Sequence, residues 1–342
     1  MNGVEFKPRI AGNVRISGNG LAACCCARLL RKSGFQAACE PALRPKSPIL
    51  LLSNQTQSLL TDVFECGKLF EDSVIIRTRI VLWARLSEPR VFPHSGLVIP
   101  EGTILNRIWA SETQRSSQAT GYEWEIVSSH TPSSASAHHF GSRLASTISV
   151  ELKAEAKEDA CYVESLEDGW LFLLPCGTRR GSLISVGALP EQLLYRSRLI
   201  ARQILRLGDS VSQFPAFPRI IDPLCGSGWI ACGTAALTFD PLCGEGAGNA
   251  LREAILASAL ISAIARGFDE EELFAHYSTR LVSGFLRHLN LCQEFYRSAS
   301  CSPWWETELN LLCQGVEWSQ CFLSKTATGK YRLVGFELEK IA

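Results

Sequence analysis

Two glycine-rich turns carry the residues whose types and spacing could do chemistry. The first, Ser17-Gly18-Asn19-Gly20-Leu21-Ala22-Ala23, is a Gly-x-Gly-x-x-Ala pattern, and Glu40 follows it at about twenty residues. Gly18 permits the turn, and Gly20 lets the backbone N–H groups at Leu21 and Ala22 approach a pyrophosphate. Ala23 lets the helix pack closely on a sheet, and Glu40 stands where the ribose of a dinucleotide would lie. The helix start adds partial positive charge toward the phosphates. The second turn, Asp240-Pro241-Leu242-Cys243-Gly244-Glu245-Gly246, repeats Asp222-Pro223-Leu224-Cys225-Gly226-Ser227-Gly228 eighteen residues later. Two such short copies do not make a solenoid. In the later copy Asp240-Pro241 stops the chain, Gly244 and Gly246 allow main-chain approach, and Ala247 opens a helix whose N-terminus can face a negatively charged ligand. A plain glycine turn before a core helix is the competing reading of either segment.

Other reactive side chains point elsewhere. Fourteen cysteines are scattered, Cys24-Cys25-Cys26 are consecutive within a helix pattern, and no Cys-x-x-Cys pair is followed by a second pair. A zinc site needs four ligands at short spacings, so no metal is expected and the thiols read as small buried hydrophobes in a reducing compartment. His138-His139, near His130, read as part of a polar loop, because adjacent residues point to different sides of a strand or helix.

These groups need elements to hold them. Val14 to Ile16 reads as a strand, Leu21 to Ser33 as a helix and Phe35 to Cys39 as a second strand, after which Pro41 to Pro48 forms a proline-punctuated loop. Ile49 to Leu52 is a short buried-strand candidate, Asn54 to Phe64 a helix, Ser73 to Ile99 a β region, and Glu101 to Trp109 a short helix. Ser111 to Thr147, rich in serine, threonine and alanine, reads as loops around one or two exposed strands. Strands at 148–152, 160–163, 169–174 and 183–186 suggest an antiparallel sheet with a hairpin at Asp168-Gly169, and Glu191 to Gly208 a basic amphipathic helix with a solvated face. Trp229 to Gly233 reads as a strand ending in a glycine turn. Ala247 to Arg266 reads as a buried helix, residues 270–320 as helical, and 331–338 as a β tail.

At 342 residues the chain can bury a sizeable core. Lys plus Arg and Asp plus Glu balance at 34 each, which argues against nucleic acid or an anionic membrane as partner. With no apolar run judged long enough to span a bilayer and no charged-then-apolar start, the expected location is the cytoplasm.

Three separated pieces, in order, resemble the flavin-dependent oxidoreductases that include aromatic hydroxylases, geranylgeranyl reductases and tryptophan halogenases. Val14 to Glu40 resembles the unit that holds the adenosine half of FAD. Gly169-Trp170-Leu171-Phe172-Leu173-Leu174-Pro175 is similar to the aromatic strand that crosses in front of the flavin ring. The stretch from Gly233-Thr234-Ala235-Ala236 to Asp240-Pro241-Leu242-Cys243-Gly244-Glu245-Gly246 and its helix resembles the family's Gly-Asp-Ala-Ala and Asp-Pro-Leu-x-Gly-x-Gly. The resemblance implies an α/β fold: a discontinuous Rossmann-like FAD-binding domain over residues 1–68 and 211–268, an inserted antiparallel β-sheet substrate domain over 69–210, and a helical C-terminal region over 269–342. It implies FAD held by Gly18, Gly20, Leu21, Ala22, Glu40, Thr234, Asp240, Gly244, Gly246 and Ala247, with a substrate pocket lined by Trp83, Trp170, Phe172 and Trp304. It also implies a monooxygenase acting on an aromatic or peptidyl tryptophan substrate, with a weakly flavin-binding scaffold protein as the alternative and a halogenase as a further one.

Departures from the family pattern are specific. Thr234 stands where the family usually has aspartate against the ribityl chain, and a hydroxyl there is a weaker partner. The Asp-Gly segment that holds NADPH in some hydroxylases has no counterpart between Gly121 and Thr147, which favours a separate flavin reductase as electron donor. Tyr122-Glu123-Trp124-Glu125-Ile126 copies the halogenase Trp-x-Trp-x-Ile-Pro loosely, and no matching lysine is present.

Overall fold

A computed structural model describes residues 12–42, 48–84, 88–111, 121–326 and 330–341. Part of the expected Pro41 to Pro48 loop lies outside these residues. β1 (Asn13–Ser17) leads through the glycine turn into α1 (Leu21–Lys32) and then β2 (Gln36–Glu40). α1 buries Leu21 through Ala27 without interruption, which only small side chains permit in a helix gripped from two sides. β3 (Ile49–Ser53) ends on Ser53, whose Oγ accepts the Thr56 N–H and caps α2 (Asn54–Phe64). β4 (Val74–Leu82), β5 (Arg90–Pro100) and α3 (Glu101–Ser111) follow, then β6 (Trp124–Val127) and β7 (Ser136–His139). β8 (Leu144–Leu152), β9 (Ala160–Leu166), β10 (Gly169–Gly177) and β11 (Arg180–Val186) pair antiparallel in the order β8-β11-β10-β9.

After α4 (Pro190–Arg196) come β12 (Ile204–Pro215), β13 (Arg219–Asp222), β14 (Cys225–Gly226), β15 (Trp229–Ala231) and β16 (Leu237–Thr238). α5 (Gly246–Ala265), α6 (Glu270–Ala299) and α7 (Pro303–Lys325) precede the terminal hairpin of β17 (Tyr331–Val334) and β18 (Glu337–Lys340). α5 is the helix among the described residues long and apolar enough to cross a membrane, against the expectation that no such run exists. Of its most apolar window 67% is buried inside the protein, as for a core helix.

Two large sheets organise the molecule. The first has the order β14-β15-β6-β1-β2 and is parallel from β15 to β2. The second has the order β12-β8-β11-β10-β9-β4-β5-β3 and is antiparallel except where β4 meets β9. Its alternate residues split into two cores. Trp170, Phe172 and Leu174 face the parallel-sheet unit, while Leu171 and Leu173 face α4.

Four readings change. β6 is not an exposed strand: it pairs with β1 and β15 inside the parallel sheet, with Ile126 at 0% and Val127 at 3% exposure. β3 joins the edge of the large sheet beside β5. The strands therefore cross the expected segment borders in both directions, and β7 pairing with β13 and residues 211–215 of β12 pairing with β8 do the same. The basic helix expected over Glu191 to Gly208 stops at Arg196. There the enclosed Glu164 carboxylate accepts the Arg198, Leu199 and Ile200 N–H groups and the Ser197 hydroxyl, turning the chain and burying Leu199 and Ile200. His138 and His139 lie in strand β7 instead of a loop, against Trp318 and Phe217 respectively.

Candidate functional site

The glycine turn sits at the C-terminal ends of β1, β2 and β6, where ligands bind in open α/β sheets. Gly18 has φ +142, and its N–H donates to the Glu40 carbonyl at 2.8 Å. A Cβ at Gly18 would lie 2.1 Å from Ser128 Oγ, so no side chain fits there. Gly20 caps α1 in extended conformation with no side-chain acceptor, which leaves the first-turn N–H groups around Leu21 and Ala22 for a ligand. Leu21 and Ala22 are themselves 5% exposed, so main chain is what they can offer. Asn19 Oδ1 is enclosed beside them with no partner, and the Glu40 side chain is exposed at the end of β2. A cradle closed to side chains and open N–H groups fit a dinucleotide phosphate, and the Asn19 Oδ1 acceptor suits a ligand hydroxyl instead.

The segment preceding the second turn meets the first turn's helix at Gly233. This glycine has φ +58, and a Cβ on it would stand 2.9 Å from that of Ala22. Its N–H donates to the buried Glu253 at 2.7 Å, and the Thr234 hydroxyl donates to the Ser128 carbonyl at 3.2 Å. Burial raises the Glu253 carboxyl well above its ordinary range, with the Gly233 N–H pulling the other way. Thr234 is exposed, and its oxygen can still accept from a ligand hydroxyl.

Asp240 points away from this opening. Its Oδ1 accepts the Leu242 N–H at 2.8 Å, and its Oδ2 takes the Tyr296 hydroxyl at 2.6 Å and Arg143 Nε at 2.9 Å. Arg143 also holds Glu308 at 2.5 Å. The Asp240 side chain thus anchors the turn from behind. Gly244, at φ +66, has Arg79 Nη2 and Leu51 about 4 Å from where its Cβ would lie, and a Cβ on Gly246 would meet nothing within 4 Å. Glu245 caps α5 without a side-chain bond, so the N–H groups at Gly246 and Ala247 are open too.

No protein-family model and no curated protein sequence matches the chain. Solved structures do. CmlS, a flavin-dependent halogenase, superposes with a TM-score of 0.72 at 18% identity, covering 92% of this chain and 71% of its own. QhpG, a peptidyl tryptophan dihydroxylase essential for tryptophylquinone cofactor biogenesis, gives 0.69 at 19% identity over 87% of this chain and 78% of its own. The 2,6-dihydroxypyridine-3-hydroxylase from Arthrobacter nicotinovorans gives 0.64 at 13% identity, covering 86% of this chain and 95% of its own. The chain has the fold of the flavin-dependent halogenases and hydroxylases.

Within this flavoprotein fold the four expected pocket aromatics separate. Trp83 Nε1 donates to the Phe295 carbonyl, and its ring stands 5.7 Å from Trp305. Trp170, at 0% exposure, has Nε1 3.4 Å from the Tyr296 hydroxyl, and Trp304 stacks on Tyr296. Those three form a packed seam between the large sheet and the C-terminal helices. Phe172 lies elsewhere, under the Arg79 guanidinium at 6.0 Å from its ring centre, and Arg79 Nε is enclosed without a partner. A cavity of about 820 Å³ opens between α2, α5, α6 and the terminal hairpin, with Phe239, Cys243, Arg252, His276, His288 and Tyr331 on its walls. None of the four aromatics lines it.

Sequence reasoning missed Ser128, Asn19, Arg79 and Arg143. Asn19 could have been found inside the glycine motif. The other three depend on strand pairing or packing and left no local signal.

Proposed function

We propose that this chain is an FAD-dependent oxidoreductase, a monooxygenase acting on an aromatic substrate. The observation that carries the reading is the contact of Gly233 and Thr234 with Ala22 and Ser128. It joins the segment that leads into the second glycine turn to the start of α1, which supports one dinucleotide spanning both helix starts. FAD, when bound, would supply the reducing equivalents that activate dioxygen. The chain's own residues would do the rest. Gly18, Gly20 and the α1 N–H groups would hold the pyrophosphate, Glu40 the adenosine ribose and Thr234 the ribityl chain. Gly244, Gly246 and the α5 N–H groups at Ala247 would stabilise negative charge at the ring end. Arg79, over Phe172 and beside Gly244, places a fixed cation on the sheet face toward that end.

In this reading residues 1–68 and 211–268 form the nucleotide unit, except that β3 and β12 pair into the large sheet and β6 joins the parallel one. Residues 69–210 supply the substrate sheet, and 269–342 the helical cover. Thr234 and the missing nicotinamide segment favour a separate reductase as electron donor. QhpG, which acts on peptidyl tryptophan, is in keeping with a tryptophan side chain of a protein partner as substrate, and the loose copy of the halogenase segment with no matching lysine argues against halide chemistry.

The test is direct: the purified chain should be yellow, or turn yellow after incubation with excess FAD and removal of unbound ligand. A protein that stays colourless would favour the second reading, a binding protein that keeps the fold, for which Thr234 is the motivating residue.

A further inference from the structure

We propose that Cys243 and Cys292 form an oxidisable dithiol, a modification site where hydrogen peroxide converts the pair into a disulfide tying the Gly244–Gly246 turn to α6. Their sulfurs lie 3.8 Å apart, although the residues belong to different elements. Cys243 is half-buried on the wall of the 820 Å³ cavity, so a small oxidant reaches it. Cys292 is fully enclosed behind it, with its sulfur 3.3 Å from His288 Nε2. A hydrogen bond from the Cys292 thiol outweighs burial and lowers the Cys243 thiol from its ordinary range, which favours the nucleophilic thiolate on the accessible sulfur.

A second pair in the same protein marks what matters. Cys26 and Cys232 have sulfurs 3.9 Å apart, but both residues are at 0% exposure and Cys232 is held well above its ordinary range. Proximity is equal in the two pairs; access and thiolate character are not.

Cys243, His288 and Cys292 also bring three ligand atoms within 4.8 Å, as a metal site would. His288 Nε2, however, already accepts the Asp240 N–H at 2.9 Å, which uses its lone pair and leaves two sulfurs, short of the usual four ligands.

The reaction balances with peroxide as the oxidant. The Cys243 thiolate attacks one peroxide oxygen, an S–O bond forms, the O–O bond breaks and hydroxide leaves. The Cys292 sulfur then attacks the Cys243 sulfur, the S–S bond forms, the S–O bond breaks, and a second hydroxide departs. Protons from the two thiols convert both hydroxides to water, so two thiols lose two electrons and one peroxide is reduced. The sulfurs need only close from contact to about 2.05 Å.

The experiment uses the full chain carrying Cys301→Ser and Cys321→Ser, which removes the exposed thiols. After treatment with hydrogen peroxide and alkylation of free thiols, peptide masses should show a Cys243–Cys292 link, two fewer alkylated thiols and reversal by dithiothreitol. With Cys292→Ser added, oxidation should stop at a sulfenic acid on Cys243 that dimedone traps. If that variant does not fold, the same adduct should appear transiently in the parent before the link. Cys243 and Cys292 still alkylated while other thiols oxidise, or Cys26–Cys232 linking first, would overturn the proposal. So would one tightly bound zinc per chain that Cys243→Ser releases.

Discussion

Arg143 and Asp240, 97 residues apart in sequence, form an ion pair at 2.8 Å in which neither side chain has any solvent exposure. The guanidinium also holds Glu308 and lies 4.8 Å from the Tyr296 ring centre, so one cation joins β8's approach, the Asp240 turn, α6 and α7. Burial opposes its charge, but Tyr296, Asp240 and Glu308 together raise its pKa, and it stays protonated throughout.

Arg143→Met should therefore leave two buried carboxylates without their cation. The expected cost is ~3–5 kcal/mol, and adding Glu308→Gln should recover part of it. Urea unfolding midpoints measure both; a loss under about 1 kcal/mol would mean the network adds little.

Glu253 makes stability fall as pH rises. Its carboxyl titrates well above its ordinary range in the folded chain, because burial disfavours the charged form. The folded state thus keeps a proton that the unfolded state has lost once the pH passes the ordinary carboxylate range near 4.5. Stability is full below that range and declines up to the folded value. Glu253→Gln keeps an acceptor for the Gly233 N–H and cannot ionise. Its stability relative to the parent should be similar at about pH 5 and higher at about pH 8. Equal pH slopes in thermal melts would show that Glu253 is not enclosed.

Gly18→Ala puts a methyl where Ser128 Oγ already stands and forces a side chain to φ +142. The backbone cost of ~1–3 kcal/mol should appear as a flavin affinity about tenfold to a hundredfold weaker. Quenching of FAD fluorescence on titration gives the number. Unchanged affinity would place the nucleotide elsewhere.

Thr234→Asp should act in the opposite direction. The exposed hydroxyl would be replaced by a carboxylate, and a charge-assisted bond to a ribityl hydroxyl exceeds a neutral one by about 1 kcal/mol or more, or several-fold in affinity. Thr234→Val, which removes the acceptor, should weaken binding in the same titration. If neither variant moves the affinity, Thr234 does not touch the cofactor.

Short-range physics made much of the architecture legible. The glycine turn between β1 and α1, helix Asn54–Phe64 behind its Ser53 cap, the β9–β10 hairpin and the buried α5 all follow from neighbours a few residues apart. The turns at Gly18 and Gly244, both at positive φ, were legible for the same reason, since a glycine marks a backbone conformation that other residues avoid.

What the tertiary structure decided was partnership. Trp124-Glu125-Ile126-Val127 is a short apolar run in a serine-rich setting, and only pairing with β1 and β15 makes it central and places Ser128 against Gly18. The stretch after Arg196 has a helical pattern until Glu164, folded in from β9, takes its N–H groups. Asp240 looked like a ligand group because it opens the glycine motif; Arg143, Tyr296 and Glu308, reached only by packing α6 and α7 on the sheets, turned it into the anchor behind the turn. Turn geometry is set by bonded neighbours and can be read along the chain. The partner of a buried charge is set by whichever distant segment can repay its lost hydration, and that choice exists only once the chain has folded.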